Sequence, residues 1–243
     1  MTSSPDRLPT PSPNLLSEPP RDCRACPRLA DFRARNRADH PDFFNAPVPS
    51  FGPANASVLV VGLAPGLKGA NKTGRPFTGD YAGDLLYETL SEFGFARGHY
   101  RADPDDGLTL VDCRITNAVR CVPPQNKPVG AEIGNCRPFL SATIAETTGL
   151  RAIVALGRIA HESILSALGA RRAAHPFAHA AQHELGRHEL GRHELGGHDL
   201  GQNDPGSLAL FDSYHCSRYN TNTGRLTPEM FKAVFAAVRD EIG

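Results

Sequence analysis

The sequence predicts an α/β fold, a mostly parallel sheet with helices on both faces. Three observations lead there. Apolar runs of strand length alternate with segments of helical period. A glycine-rich loop follows the first of these runs and a histidine-bearing polar loop follows the last, the places where open α/β sheets put their ligands. At 243 residues, 40% hydrophobic and 21% charged, the chain has a globular composition and enough length for one sizeable core without requiring a second domain.

The elements are read in order. Residues 1–20 are rich in Pro and Ser and read as a disordered tail. The run VLVV at 58–61 reads as a buried strand, and residues 84–93 place apolar side chains at helical spacing. Residues 101–107 are polar and turn-rich. The runs at 108–111 and 115–119 read as two strands or one bent strand. Residues 130–147 read as a helix, 152–156 as a strand and 159–168 as a helix. The run LALF at 208–211 reads as the last strand. The final helix starts at Thr227, where Pro228 and Glu229 are start signals, and ends near Ile242.

One segment breaks the alternation. From His183 a five-residue unit (HELGR, HELGR, HELGG, HDLGQ) repeats through Gln202. A period of five advances about 500° per unit on a helix, so its histidines would spread around the axis. It reads as a low-complexity surface insertion at about 183–202, with adventitious metal binding as the alternative.

Charge and hydropathy exclude some classes. Net charge is zero, which argues against a surface basic all over but leaves room for a local basic groove. No run of about 18 apolar residues exists to span a membrane. The N-terminus lacks the apolar segment of a secretory signal, so the expected address is the cytoplasm.

Of the six cysteines, Cys23 and Cys26 form a CxxC pair, and Cys121 and Cys136 flank a proline-rich stretch. Without an export signal, two such pairs favour a metal centre over disulfides, and both zinc and an iron–sulfur cluster accept four thiolates. Cys113, in a strand-like stretch, reads as a small core residue.

Two loops carry the chemistry. GLAPGLKGANKTGRPFTGD fills 62–80, and DSYHCSRYNTNTGRL fills 212–226. Backbone N–H groups, a ring, a carboxylate and an imidazole together suit a pocket for a flat polar ligand. With these loops and the four cysteines in that order, the chain resembles the iron–sulfur uracil-DNA glycosylases, specifically family 5, the type-b enzymes. The resemblance covers about residues 20–180 and 205–242. It implies a three-layer fold on a four-stranded, largely parallel sheet. It also implies one [4Fe–4S] cluster on Cys23, Cys26, Cys121 and Cys136, within a single domain over 21–243. The partner is then DNA containing uracil or other deaminated bases, and the protein is expected to be a monomer.

Residue chemistry assigns expected roles. A glycosylase needs a pocket for one flipped base. Phe77 stacks on it, Asn117 reads the O4 and N3–H edge, and the loop at Gly62, Leu63 and Ala64 brings backbone N–H groups close. His215 stabilises the charge that grows on the leaving base. Leu63 and Ala64 cannot hold a water, so Asp80, or Asn71 as the alternative, activates it. Ser217, Arg218 and Asn220 suit DNA contacts. Lys68, Lys72, Arg75, Arg120 and Lys127 are candidates for a local basic face. The family has Pro or another apolar residue after the histidine. Here Cys216 stands there, which leaves the loop's stiffness open and makes oxidation sensitivity an expectation. Alternatives are a uracil-DNA binder that traps its product and a redox-sensing iron–sulfur protein. The trapping subgroup uses a histidine on a basic insertion, and the chain has neither between Gly79 and Leu85. A zinc-stabilised nucleic-acid-binding module is a third.

Overall fold

The structure, a computed structural model, describes residues 17–186 and 207–243. Most of the expected disordered tail and of the repeat lies outside the described residues. In chain order the elements are α1 (Pro27–Asp39), β1 (Val58–Gly62), α2 (Ala70–Thr73), α3 (Tyr81–Glu92), β2 (Ala96–Arg97), β3 (Thr109–Leu110), β4 (Cys113–Asn117), α4 (Gly130–Glu146), β5 (Ala152–Leu156), α5 (Arg158–Leu168), β6 (Gln182–Gly186), β7 (Ser207–Ser213), α6 (Arg218–Asn222) and α7 (Pro228–Ile242).

The main sheet has five strands in the order β4-β1-β5-β7-β6. The first four are mutually parallel, and β6 pairs antiparallel on the edge of β7. The expected four-stranded parallel sheet is therefore present and carries one added edge. That edge is the start of the histidine repeat: His183 pairs with Leu210, and Leu185, fully buried, pairs with Leu208. Residues 183–186 of the repeat thus belong to the sheet. The pairing of β7 supplies the partner, which the five-residue period conceals.

Strand alternation sends successive side chains to opposite faces. Val58, Val60, Val154 and Phe211 pack with Leu86, Leu90, Phe231 and Phe235 of α3 and α7. Leu59, Val61, Ile153 and Leu210 pack with Leu140, Ile144, Ile164 and Leu165 of α4 and α5. Buried on both faces, β1 and β5 read as unbroken apolar runs. Residues 109–110 and 113–117 are separate strands. The chain turns between them at Asp112, whose φ is 53° and whose Oδ1 accepts a hydrogen bond from the Ser57 N–H.

Candidate active site

Three of the parallel strands end at one place. β1 ends at Gly62, its register partner Asn117 ends β4, and β7 runs out into Tyr214 and His215. Between these ends lies a pocket of about 260 Å³, mouth included, lined by Ala64, Pro65, Gly66, Ala70, Phe77, Asp80, Ala82, Asn117 and His215.

Gly62 sets the closeness of this packing. A Cβ there would lie 2.5 Å from both Asn117 Oδ1 and Phe77 Cζ. Only a bare Cα lets the ring and the amide meet over the strand end. Gly62→Ala therefore displaces one or both side chains. Overpacking of this kind costs about 1–3 kcal/mol. The expected outcome is a folded variant with a correspondingly lowered Tm, which thermal unfolding checks.

Phe77 reaches the pocket from a strained backbone, with φ at 53° in the left-handed region that a bulky residue seldom adopts. Buried neighbours hold it there. The Phe77 carbonyl accepts from Tyr100 Oη at 3.1 Å, and the Tyr87 hydroxyl donates to the Pro76 carbonyl at 2.7 Å. Arg75 makes a two-point ion pair with Asp106, both contacts at 2.8 Å, and donates from Nε to Thr78 Oγ1 at 2.7 Å. Arg75 is buried against Phe51 and Tyr87, so it braces the Phe77 strap and leaves the basic face expected of it. Arg120 is likewise withdrawn: it is fully buried and bonded to Glu18, Ser50 and Thr143. Lys68, Lys72, Lys127 and Arg218 are exposed.

Asp80 is at once the N-cap of α3 and a wall of the pocket. Its Oδ1 accepts from the Gly83 N–H at 3.3 Å. Burial raises its carboxyl above the ordinary range, opposed by the backbone N–H groups of Gly83 and Ala82. Asn71 is buried elsewhere. It donates from Nδ2 to Asn45 Oδ1 at 2.9 Å, fastening α2 to the segment after α1, and it is absent from the pocket lining.

Two buried polar atoms of the pocket, Asn117 Oδ1 and His215 Nδ1, have no hydrogen-bond partner among the described residues. Burial pushes the His215 imidazole down to about 4, so it is neutral at pH 7. Its ring stands 6.0 Å from that of Phe77, inclined by 29°. Its loop is built by the residues that follow. Asn220 Nδ2 donates to the His215 carbonyl at 2.8 Å, and Ser217 caps α6 by accepting from the Asn220 N–H. Ser217 and Asn220 thus shape the loop, while Arg218 stands exposed over the ring of Tyr81 at 5.3 Å. Cys216 is fully buried, with its thiol on the Ala82 carbonyl and burial holding it protonated. It anchors the loop into the core, so the expected oxidation sensitivity has no exposed thiolate to act through. Tyr219, 72% exposed beside Arg218, escaped the sequence reading. Its signal was an aromatic side chain inside an otherwise polar loop.

The four paired cysteines converge as well. Cys23, Cys26, Cys121 and Cys136 line one cavity with Leu29, Arg33 and Val119, and none forms a disulfide. Three sulfurs accept hydrogen bonds: Cys121 from Arg33 Nη1 at 3.4 Å, Cys136 from the Arg120 N–H at 3.4 Å, and Cys26 from Asn135 Nδ2 at 3.7 Å. Burial pushes Cys121 up to about 12 and Cys136 to about 11, so a cationic centre is needed to ionise them near neutral pH. Ala64 packs against this cluster and also lines the pocket, joining the two sites.

Comparison with known proteins agrees with this geometry. The model of the uracil DNA glycosylase superfamily matches residues 49–239, a span that holds the whole pocket and leaves Cys23 and Cys26 outside. A Type-5 uracil-DNA glycosylase of Thermus thermophilus is 42% identical over 217 residues, 87% of this chain and 90% of the relative. One of Mycobacterium bovis is 38% identical over 91% of this chain and 78% of its own length. A Type-4 uracil-DNA glycosylase of Pyrobaculum aerophilum is 38% identical over 51% of this chain and 56% of its own.

Proposed function

This chain belongs to the uracil DNA glycosylase superfamily, alongside its type-5 members, and on that footing we propose that its pocket takes one uracil flipped out of DNA and that its residues hydrolyse the N-glycosidic bond. The observation that carries the reading is the pair of unpartnered buried atoms. Asn117 Oδ1 needs a donor, which uracil supplies at N3–H, and His215 Nδ1 faces no partner until a ligand arrives.

The chemistry then runs through this chain's own groups. Phe77 lies along the base and excludes water. Asn117 selects its edge. The Asp80 carboxylate orients the attacking water, takes its proton and sits close to the positive charge that develops on the sugar. The neutral His215 donates to the base as its bond to the sugar breaks and negative charge collects there. Water adds to the sugar carbon, the base leaves with the electron pair, and an abasic site remains. Leu63 and Ala64 hold no polar group to the base, which favours acceptance of deaminated purines beside uracil.

Arg218, Tyr219 and the exposed Lys68, Lys72 and Lys127 contact the DNA. Arg218→Ala is expected to weaken binding to any sequence and lower the slope of log K against log salt by about 1. Salt titrations of binding read this directly.

The four thiols fit a [4Fe–4S] cluster. They surround a cavity, and three are bonded to N–H groups of the kind that stabilise cluster sulfurs. Among the described residues, the group whose ligand atoms all lie within 4.8 Å of one another is made of other side chains. Cys23, Cys26, Cys121 and Cys136 would hold the cluster, and bound there it supplies a structural cross-link between the N-terminal segment and α4. The protein is a monomer of the cytoplasm with a single domain over 21–243. Iron and acid-labile sulfide assayed on anaerobically purified protein should each approach four per chain, and zinc in their place overturns the cluster. Release of uracil from uracil-containing DNA tests the enzyme itself, and tight binding without release would favour the trapping alternative.

A further inference from the structure

Apart from the base pocket and the cysteines, three residues from α5, β6 and β7 converge at the antiparallel edge of the sheet. Asp212 of β7 is fully buried. Its Oδ1 lies 2.6 Å from His161 Nδ1, and its Oδ2 lies 3.2 Å from His183 Nε2 and accepts from the Ala178 N–H at 3.4 Å. Among the described residues no lysine or arginine pairs with this carboxylate; its ion-pair partners are imidazoles.

His161 is buried too, and its Nε2 lies 2.9 Å from the carbonyl oxygen of His175. A carbonyl only accepts, so Nε2 carries a hydrogen. In the neutral ring Nδ1 is then a lone pair facing a carboxylate. Two lone pairs at that separation repel, so a cation belongs between them, either a proton or a metal ion. An imidazole whose far N–H is fixed on a backbone carbonyl, with its near nitrogen turned to a carboxylate and a second imidazole, is oriented as metal-binding histidines are. The three ligand atoms all lie within 4.8 Å of one another.

We propose that His161 Nδ1, His183 Nε2 and an Asp212 oxygen bind one zinc ion. Two imidazoles and one carboxylate suit borderline zinc better than the hard cations, which favour all-oxygen shells. Of the three side chains His183 alone reaches solvent, at 10% exposed, and a water from that side would complete a tetrahedral shell. Zinc forms two bonds to nitrogen and one to oxygen; the proton held between His161 and Asp212 leaves to solvent, and the hydrogen that His183 Nε2 points at Asp212 Oδ2 moves to Nδ1 by way of solvent. Ligands about 2.0–2.2 Å from a tetrahedral ion stand roughly 3.3 Å apart, so the His161–Asp212 contact opens slightly on binding. The ion ties the edge strand to α5 and to β7, three residues ahead of His215.

The test titrates Zn²⁺ into the full-length protein, anaerobically purified, with iron content followed throughout. One Zn²⁺ per chain, bound tighter than about 10 μM, with a raised Tm and unchanged iron, is the expected result. His183→Gln should weaken binding at least about tenfold and abolish the rise in Tm. The combined variant His188→Gln, His193→Gln, His198→Gln should keep both, since those residues belong to later repeat units. Absence of stoichiometric zinc in the wild type overturns the site, and so does a loss that follows the combined variant and spares His183→Gln. If His183→Gln does not fold, zinc-edge X-ray absorption of the loaded wild type decides. A shell of imidazole and oxygen supports the site, and a sulfur shell, which would place the zinc on the cysteines, overturns it.

Discussion

His215→Ala is expected to lower the single-turnover rate of uracil excision by about 10²–10³-fold, the usual effect of removing one donor to a developing anion. Affinity for uracil-containing DNA should change far less. The reason lies in when the interaction matters. The ring is neutral, held so by burial down to about 4, so it offers little to the neutral base in the ground state. Its hydrogen bond strengthens only as the N-glycosidic electrons move onto the base, so its removal acts on kcat. The loop should survive the change. It is held by the Cys216 thiol on the Ala82 carbonyl, by the Ser217 cap of α6, and by Asn220 on a backbone oxygen that alanine retains. A variant that loses binding and rate in equal measure would assign His215 to ground-state recognition instead.

What could be read beforehand follows from the range over which each signal acts. β1 and β5 were legible because strands buried on both faces leave unbroken apolar runs. Two loops of unusual composition and a strand end hold Asp80, Phe77, Asn117 and His215, the family resemblance singled these four out, and the structure brings them to one pocket. The helix α1 was not, because its buried face is Leu29, Arg33 and Asn36, and two polar residues among three erase the apolar period. Arg75 and Arg120 looked like surface charges because their partners lie far off in sequence. Asp106 is 31 residues from the first, and Glu18 is 102 from the second. The buried bond of Asn71 is hidden for the same reason, its partner Asn45 being 26 residues earlier. The edge strand β6 was hidden inside a repeat whose later units lie outside the described residues.

Asp80→Asn separates the cap of α3 from the proposed activation of water. Asparagine caps helices about as well as aspartate, so the bond to the Gly83 N–H and the start of α3 should persist. Burial raises the carboxyl in the folded state, which means the ionised form is held at a cost to stability above that pKa. The uncharged variant should therefore unfold at the wild-type Tm or above it at neutral pH. Activity should move the other way, falling by about 10²–10⁴-fold with loss of the base that receives the water's proton. The pH profile gives the sharper readout. The ionised carboxylate is the working form, so the wild-type rate should rise with pH through a pKa above the ordinary aspartate range. Asp80→Asn should flatten that rising limb. Asn71→Ala should keep it and instead lower Tm, since the Asn45 side chain loses its buried partner. Persistence of the limb in Asp80→Asn, or its loss in Asn71→Ala, would transfer the water to the other residue.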